Sequence, residues 1–457
     1  MTVPRIVVVG AGFAGHTAAR GLLHRLGDAA EIVVIDAKDH FLYLPLLPEV
    51  TTGVVEPRHV AVSLARSLPG ARLVLGAVDR IDVDARSIGW TDPDGDRGEI
   101  TYDRLVLTVG SVNRLLPIPG VADNAHGYRS IAEALYLRDH LVRQVELAAA
   151  ASDPAERAAR CTFVVVGAGY TGTEVAAQGA RFTAQLAKAH PRLRDQRMRW
   201  MLLDTAPRVL PELHLRLSRT ADRVLRERGV EVRTGESVAE ARAHGVRLTG
   251  GEDVPMRTLV WCVGVRPDPL VDDVGLKTER GRLCVDPYLE VPGHPEIVAA
   301  GDAAAVPDLT RPGNVTAMTA QHATRQGALA ARNVAAALGR GKRRRYRHHD
   351  LGFVVELGGL DAAANPLNVP LSGLPATAVT KGYHLLAMPG NRLRVVTDWL
   401  LDILLPTQAV QLGLVRGGQV PLGPKPELAV VAGPSDQHGE HTVADAAVAG
   451  HDAGDRR

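Results

Sequence analysis

The chain has 457 residues, and its 53 Lys and Arg against 51 Asp and Glu give a formal charge of +2, which leaves no electrostatic footprint for wholesale nucleic-acid binding. The length calls for two to three domains, and 46% hydrophobic residues with only 4% aromatic suit Ala/Val/Leu-rich α/β cores. Three cysteines, Cys161, Cys262 and Cys284, form no Cys-x-x-Cys pair, so neither a zinc site nor a local redox dithiol is encoded. No metal site is expected.

The first predicted element is the apolar run "IVVVGAGFAG" at residues 6–15, a buried strand that breaks into Gly10, Gly12 and Gly15. A strand ending in G-x-G-x-x-G turns tightly and brings its backbone against a pyrophosphate, while the following helix offers unpaired N–H groups. That helix is "HTAARGLLHRL", and the next strand, "EIVVIDA", carries Asp36 at its end, 26 residues beyond Gly10. This is about the spacing at which a carboxylate meets a ribose 2′-hydroxyl. Two runs with β character, "ARLVLGAVDRIDVD" and "RSIGWTDPDGDRGEI", then lead to the strand "LVLTV" and Gly110.

The pattern then repeats. "FVVVGAGYTGTE" places Gly167, Gly169 and Gly172 after a second apolar strand, followed by a longer helix and by "RWMLLD", whose Asp204 lies 37 residues beyond Gly167. A second meander, "GVEVRTGESVAEARAHGVRLTGGED", precedes "MRTLVWCVGV". Gly10 to Gly110 spans 100 residues and Gly167 to Gly264 spans 97, so one unit is duplicated and two dinucleotides are expected.

Beyond the repeats come "AAGDAAAV", with Gly301 and Asp302, the helix "AQHATRQG" at residues 320–327, and a basic run at residues 339–349. Short strands and turns are expected from Tyr346 to Val379. In "TDWLLDILL", Trp399, Leu400, Ile403 and Leu404 read as one apolar stripe with Asp398 and Asp402 opposite, fit for a membrane surface or a dimer contact. From about Pro424 the composition reads as a disordered tail. No stretch of about 20 apolar residues spans a bilayer. The chain opens directly into a strand rather than a secretory leader, so a cytoplasmic protein is expected, peripheral on the inner face of the cell membrane.

These motifs, with "LPLLPEVTTG", "IPGV" and "YHLL", resemble the type II NADH dehydrogenases, single-chain NADH:quinone oxidoreductases among the FAD-dependent pyridine nucleotide oxidoreductases. The resemblance implies an α/β fold of two Rossmann-like domains, the FAD domain discontinuous and the NAD(H) domain inserted in it, plus a small C-terminal α+β region. The corresponding boundaries are 1–120 and 294–345 for FAD, 121–293 for NAD(H), 346–423 for a membrane-surface or dimerisation region, and 424–457 for the tail. Gly10, Gly12, Gly15 and Asp36 would hold FAD, with Asp302 after Gly301 at its ribityl and phosphate end, Gly110 where the backbone approaches the flavin, and Pro45 flanking the ring. Gly167, Gly169, Gly172 and Asp204 would hold NAD(H), Asp204 disfavouring a 2′-phosphate and Arg208 blurring that preference. Glu174 would stand where nicotinamide meets flavin, and Gln321 would donate to a quinone carbonyl.

The activity so implied is transfer of electrons from NADH through FAD to a quinone, without ion pumping. Relatives that reduce disulfides carry a cysteine pair where this chain has "HFLYLPLLPEV", so a resident dithiol is not the acceptor. Two other readings stay open: a soluble NAD(P)H-dependent reductase of a ferredoxin-like protein docked on "KRRRYR", and a non-catalytic NADH-sensing flavoprotein.

Overall fold

The computed structural model describes residues 3–348, 351–406 and 408–422; the tail expected from residue 424 lies outside the described residues. Two sheets form the body, parallel throughout except for the antiparallel edge strand Glu290–Val291 of the first. The first has six strands in the order Glu290–Val291, His294–Ala299, Arg104–Leu107, Arg5–Val9, Glu31–Asp36 and Arg72–Leu75. The second has four, Val230–Thr234, Arg199–Asp204, Thr162–Val166 and Thr258–Trp261.

The duplication read from the sequence is present in this topology. In each sheet the strand that leads into a glycine loop is flanked on one side by the strand ending in Asp36 or Asp204. On the other side lies the strand that runs toward Val-Gly, with Val7 paired to Val33 and Leu105, and Val164 to Met201 and Leu259. Parallel strands covered by helices are buried on both faces, and so Ile6, Val7, Val8, Phe163, Val164 and Val165 are fully buried. Each half also carries the expected antiparallel meander, Ala77–Thr101 in the first and Val238–Pro255 in the second.

The C-terminal region has three short antiparallel strands, Val354–Glu356, Ala362–Ala364 and Leu371–Ser372, then two helices, Leu374–Ala387 and Arg392–Leu404. The expected run of strands to Val379 stops early. Gly373 turns with φ 65°, and Pro375 falls in the first helical turn, where its missing N–H is no loss.

The last helix corrects the expected stripe. Trp399 is 8% exposed and packs inward with Val395, and its indole N–H donates to Glu49 at 2.6 Å. Asp398 does not face solvent either: its carboxylate accepts from the Glu56 backbone N–H at 3.1 Å and lies 2.6 Å from His59 Nδ1. The helix is apolar on two faces, and the outer one exposes Leu393, Leu400, Leu401, Ile403 and Leu404. Among the described residues no helix is long and apolar enough to cross a membrane.

Candidate active site

The two glycine loops are built alike. Gly10 and Gly167 take φ of 85° and 103°, and a Cβ on either would overlap a backbone carbonyl, that of Thr108 or of Cys262. A Cβ on Gly15 or Gly172 would overlap the carbonyl of the loop's own first glycine. These four positions therefore close the turn and the strand–helix packing. Gly12 and Gly169 are the open ones: a Cβ there meets nothing within 4 Å, and each caps its helix without a side-chain hydrogen bond. Gly12 and Gly169 are thus the positions in each loop that leave space beside the backbone.

The acids at the strand ends are fixed in the same way in both halves. Asp36 accepts from the Ala11 N–H at 2.5 Å and the Lys38 N–H at 2.8 Å. Asp204 accepts from the Ala168 N–H at 2.5 Å and the Ala206 N–H at 2.7 Å. A carboxylate has about four lone-pair sites, so Asp204 retains capacity for a ribose hydroxyl. Arg208 donates to the carbonyls of Leu213 at 2.8 Å and Pro211 at 2.5 Å, which ties its guanidinium to its own loop rather than to a 2′-phosphate.

The first loop is closed over by a distant part of the chain. The turn Gly301–Ala303 sits against Ala14, and the Gly301 N–H donates to Gln326 Oε1 at 2.8 Å. Gln326, fully buried, donates in turn to Thr316 Oγ1 at 3.0 Å. Gly327 lets the helix Ala320–Ala337 press on the carbonyl of Ala14, where any Cβ would overlap it. Asp302 leads into the strand Ala304–Ala305 and so caps no helix. Its carboxylate accepts from Ser111 Oγ at 2.5 Å, whose oxygen also accepts from Arg129 at 3.1 Å. Gly110, with φ 78°, precedes Ser111 and accepts the Asp268 N–H at 3.2 Å. Pro45 lies half-buried in the turn Leu44–Leu46.

Around Glu174 the structure gathers groups that sequence reasoning missed. The second loop helix begins at Tyr170, so Glu174 stands in its second turn, beyond the first-turn place where a helix dipole would favour it. Its carboxylate accepts the Glu356 N–H at 2.9 Å. Burial pushes its pKa up to about 8, against the help of that hydrogen bond, and the Glu49 carboxylate adds to the rise. Lys381 lies 3.1 Å from Glu49 and 3.2 Å from Glu356, with its ammonium 4.0 Å over the Trp399 ring. Burial, reinforced by Glu49, drives the Glu356 carboxyl well above its usual range. Lys381 stays charged because the two carboxylates outweigh the desolvation that opposes it. Beside them Tyr43 Oη is 3.0 Å from His384 Nδ1, and burial lowers that imidazole to about 4, which keeps it neutral.

The two glutamines of the helix Ala320–Ala337, Gln321 and Gln326, have different partners. Gln326 serves Gly301, whereas Gln321 donates through Nε2 to the Gly352 carbonyl at 2.6 Å. Its Oε1 is buried and has no partner among the described residues. Flipping the amide would set two oxygens 2.6 Å apart, so the orientation is fixed by the Gly352 contact. Gln321 thus has its Nε2 engaged by Gly352 and a buried Oε1 with no hydrogen-bond partner among the described residues. His322 packs, with Nδ1 2.7 Å from Tyr346 Oη, and among the described residues no group of three metal-type ligands exists. Burial raises the thiols of Cys161 and Cys262 to about 11 and 12, so both are protonated at neutral pH.

The Gly301 turn is thus tied to the helix that packs on the first loop, and Glu174 to the C-terminal strand Val354–Glu356. The family model for pyridine nucleotide-disulphide oxidoreductases matches residues 4–327. The type II NADH:quinone oxidoreductase Ndh of Mycobacterium tuberculosis is 30% identical over 417 residues, covering 88% of each chain. NdhA of the same organism is 32% identical over 422 residues, covering 88% of this chain and 87% of its own. NDH2 of Plasmodium falciparum, solved in complex with NADH, superposes with a TM-score of 0.81 over 90% of this chain and 100% of that one; at 16% identity this speaks to fold alone. The chain belongs to the pyridine nucleotide-disulphide oxidoreductase family and, within it, to the type II NADH:quinone oxidoreductases.

Proposed function

We infer that the protein oxidises NADH and passes the electrons through FAD to a quinone, the overall change being NADH, a proton and quinone to NAD⁺ and quinol. The observation that carries this reading is the pair of matched nucleotide loops in a chain whose cysteines are all unpaired: the Cys262 carbonyl packs beneath Gly167 and its thiol is protonated, and Cys161 and Cys284 are likewise free. The residues fit two dinucleotides, since each loop leaves an open approach at its middle glycine beside an acid at the end of the neighbouring strand. We assign 1–120 and 294–345 to the FAD unit, 121–293 to the NAD(H) unit and 346–423 to the C-terminal region.

Gly10, Gly12, Gly15, Asp36, Gly110, Gly301 and Asp302 would hold FAD, with Pro45 beside its ring. Bound there, FAD supplies the two-electron chemistry that links a hydride donor to a quinone. Gly167, Gly169, Gly172 and Asp204 receive NADH, and Asp204 repels a 2′-phosphate. Glu174, largely protonated at neutral pH, can donate a hydrogen bond at the junction without adding a second negative charge beside Glu49. Gln321 presents both donor and acceptor to the quinone and quinol oxygens.

Exposed aliphatic residues of the last two helices extend this reading to a membrane surface. Leu386, Leu393, Ile403 and Leu404 are 78%, 83%, 74% and 74% exposed. Burying each gains roughly 1.5–3 kcal/mol, enough together for peripheral attachment on the cytoplasmic face of the cell membrane, where long-chain quinones reside. The basic run contributes less than its charge suggests, because Arg343 pairs with Glu290 at 2.5 Å and Arg343 and Arg345 both lie against the Tyr288 ring.

Anaerobic reduction of the yellow holoprotein by NADH, followed by reoxidation with quinone, ferricyanide or oxygen, tests the activity. Quinone should be the fastest oxidant. A bleached flavin that quinone does not reoxidise would overturn the reading. Flotation with anionic liposomes tests attachment: Ile403→Glu with Leu404→Glu should leave the protein at the bottom of the gradient, and equal flotation of both proteins would remove this helix from the surface.

A further inference from the structure

The segment Gly352–Glu356 touches residues assigned above to both halves of the reaction. Gly352 accepts the Gln321 amide at 2.6 Å, on the quinone side. The next residue, Phe353, stacks on Tyr170 with ring centroids 5.5 Å apart and planes at 27°. Tyr170 is the first residue of the second loop helix, immediately after the open Gly169. One strand further, the Glu356 N–H holds Glu174. The segment has little room to yield. Gly352 has φ 87° at a place where any Cβ would overlap the Asn365 carbonyl, and the Asn365 N–H donates back to the Phe353 carbonyl at 2.8 Å.

We propose that Phe353 is a positioning residue shared by the two half-sites, so that the Gly352–Phe353 pair sets Gln321 and Tyr170 in one arrangement and couples occupancy of the nucleotide site to that of the quinone site. This rests on the function inferred above. The physical ground is that adjacent residues of one backbone-locked segment carry the two contacts. A ligand that shifts Tyr170 alters the ring stack, and through it the carbonyl to which Gln321 is bonded; a ligand that recruits the Gln321 amide acts in the reverse direction. Such linkage is reciprocal.

The oxidised holoenzyme offers a test without turnover, because NAD⁺ and menadione do not react with each other or with the oxidised flavin. The dissociation constant of NAD⁺ is read from the flavin absorbance, with and without saturating menadione. In the wild type, menadione should weaken NAD⁺ binding about fivefold, and NAD⁺ should weaken menadione binding equally. Phe353→Leu, which keeps apolar bulk and removes the ring, should bring the ratio to about one while FAD content stays unchanged. Phe353→Tyr, which keeps the stack, should restore the wild-type ratio. A wild-type ratio of one, or Phe353→Leu with the wild-type ratio, overturns the proposal. Loss of FAD from both variants also overturns it, since Phe353 would then support the fold rather than position the two sites. Failure of the wild type to bind either ligand would instead sink the functional reading.

Discussion

The two nucleotide loops share a backbone and differ in what lies over them. The helix after Gly12 is wedged: Gly327 seats a second helix on Ala14, and Gly301 is pinned to the same place by Gln326. The helix after Gly169 carries no such cover on its first turn. Its neighbours there are Phe353 and Glu356, from a strand at the edge of a small sheet. The first loop helix is thus clamped by a distant part of the chain, and the second is met by the C-terminal region.

Substitution of the matched glycines should break the comparison most strongly. Gly15→Ala and Gly172→Ala place the same methyl against the same carbonyl, yet the consequences should diverge. The first variant should be recovered without flavin or fail to fold. The second should keep its FAD, measured by absorbance at the flavin band, while kcat/KM for NADH falls about 100-fold, since overpacking of this kind costs roughly 1–3 kcal/mol. Equal flavin loss in both would show the sites to be interchangeable.

A change at the two acids should act more mildly. Asp204→Asn keeps an acceptor for the ribose and removes the charge that opposes a 2′-phosphate, so the preference for NADH over NADPH, compared as kcat/KM, should shrink about tenfold. The corresponding Asp36→Asn should leave that ratio untouched. A shift of the ratio by the Asp36 variant would mean that the first loop, not the second, selects the donor.

The smallest effect is a pH dependence that only the second half should show. Glu174 has a folded-state pKa of about 8, above its unfolded value of 4.5, so the folded protein holds a proton there that the unfolded chain gives up. Stability from this group is unaffected below about pH 4 and falls as pH rises from 4.5 through 8. Glu174→Gln should therefore gain in Tm relative to wild type between pH 5 and pH 8.5. A constant difference across that range would place the carboxyl in contact with solvent.

Much of this was legible in the chain because it is locally encoded. An apolar strand, three glycines and an acid at a set spacing specify a loop without help from elsewhere, and both copies folded as read, meanders included. The parts that were not legible depend on partners hundreds of residues away. Nothing near Glu49 announces Lys381 or Glu356, and Gln321 and Gln326 cannot be told apart until Gly301 is seen against one and Gly352 against the other. Trp399 misled for a different reason. A helix apolar on two faces has no single stripe, and the indole N–H found a buried carboxylate, a better partner than an interface would supply.

The outward leucines at Ile403 and Leu404 also have a mechanical meaning. Upstream, Trp399 is bonded to Glu49; downstream, the Leu412 and Gly413 N–H groups donate to Asp139 at 2.9 and 2.7 Å, and Arg138 donates to the Gln408 carbonyl. The apolar tip is thus held at both ends, like a foot braced on two struts. On the membrane contact proposed above, a surface meeting this tip would be held at a fixed height and tilt relative to the struts.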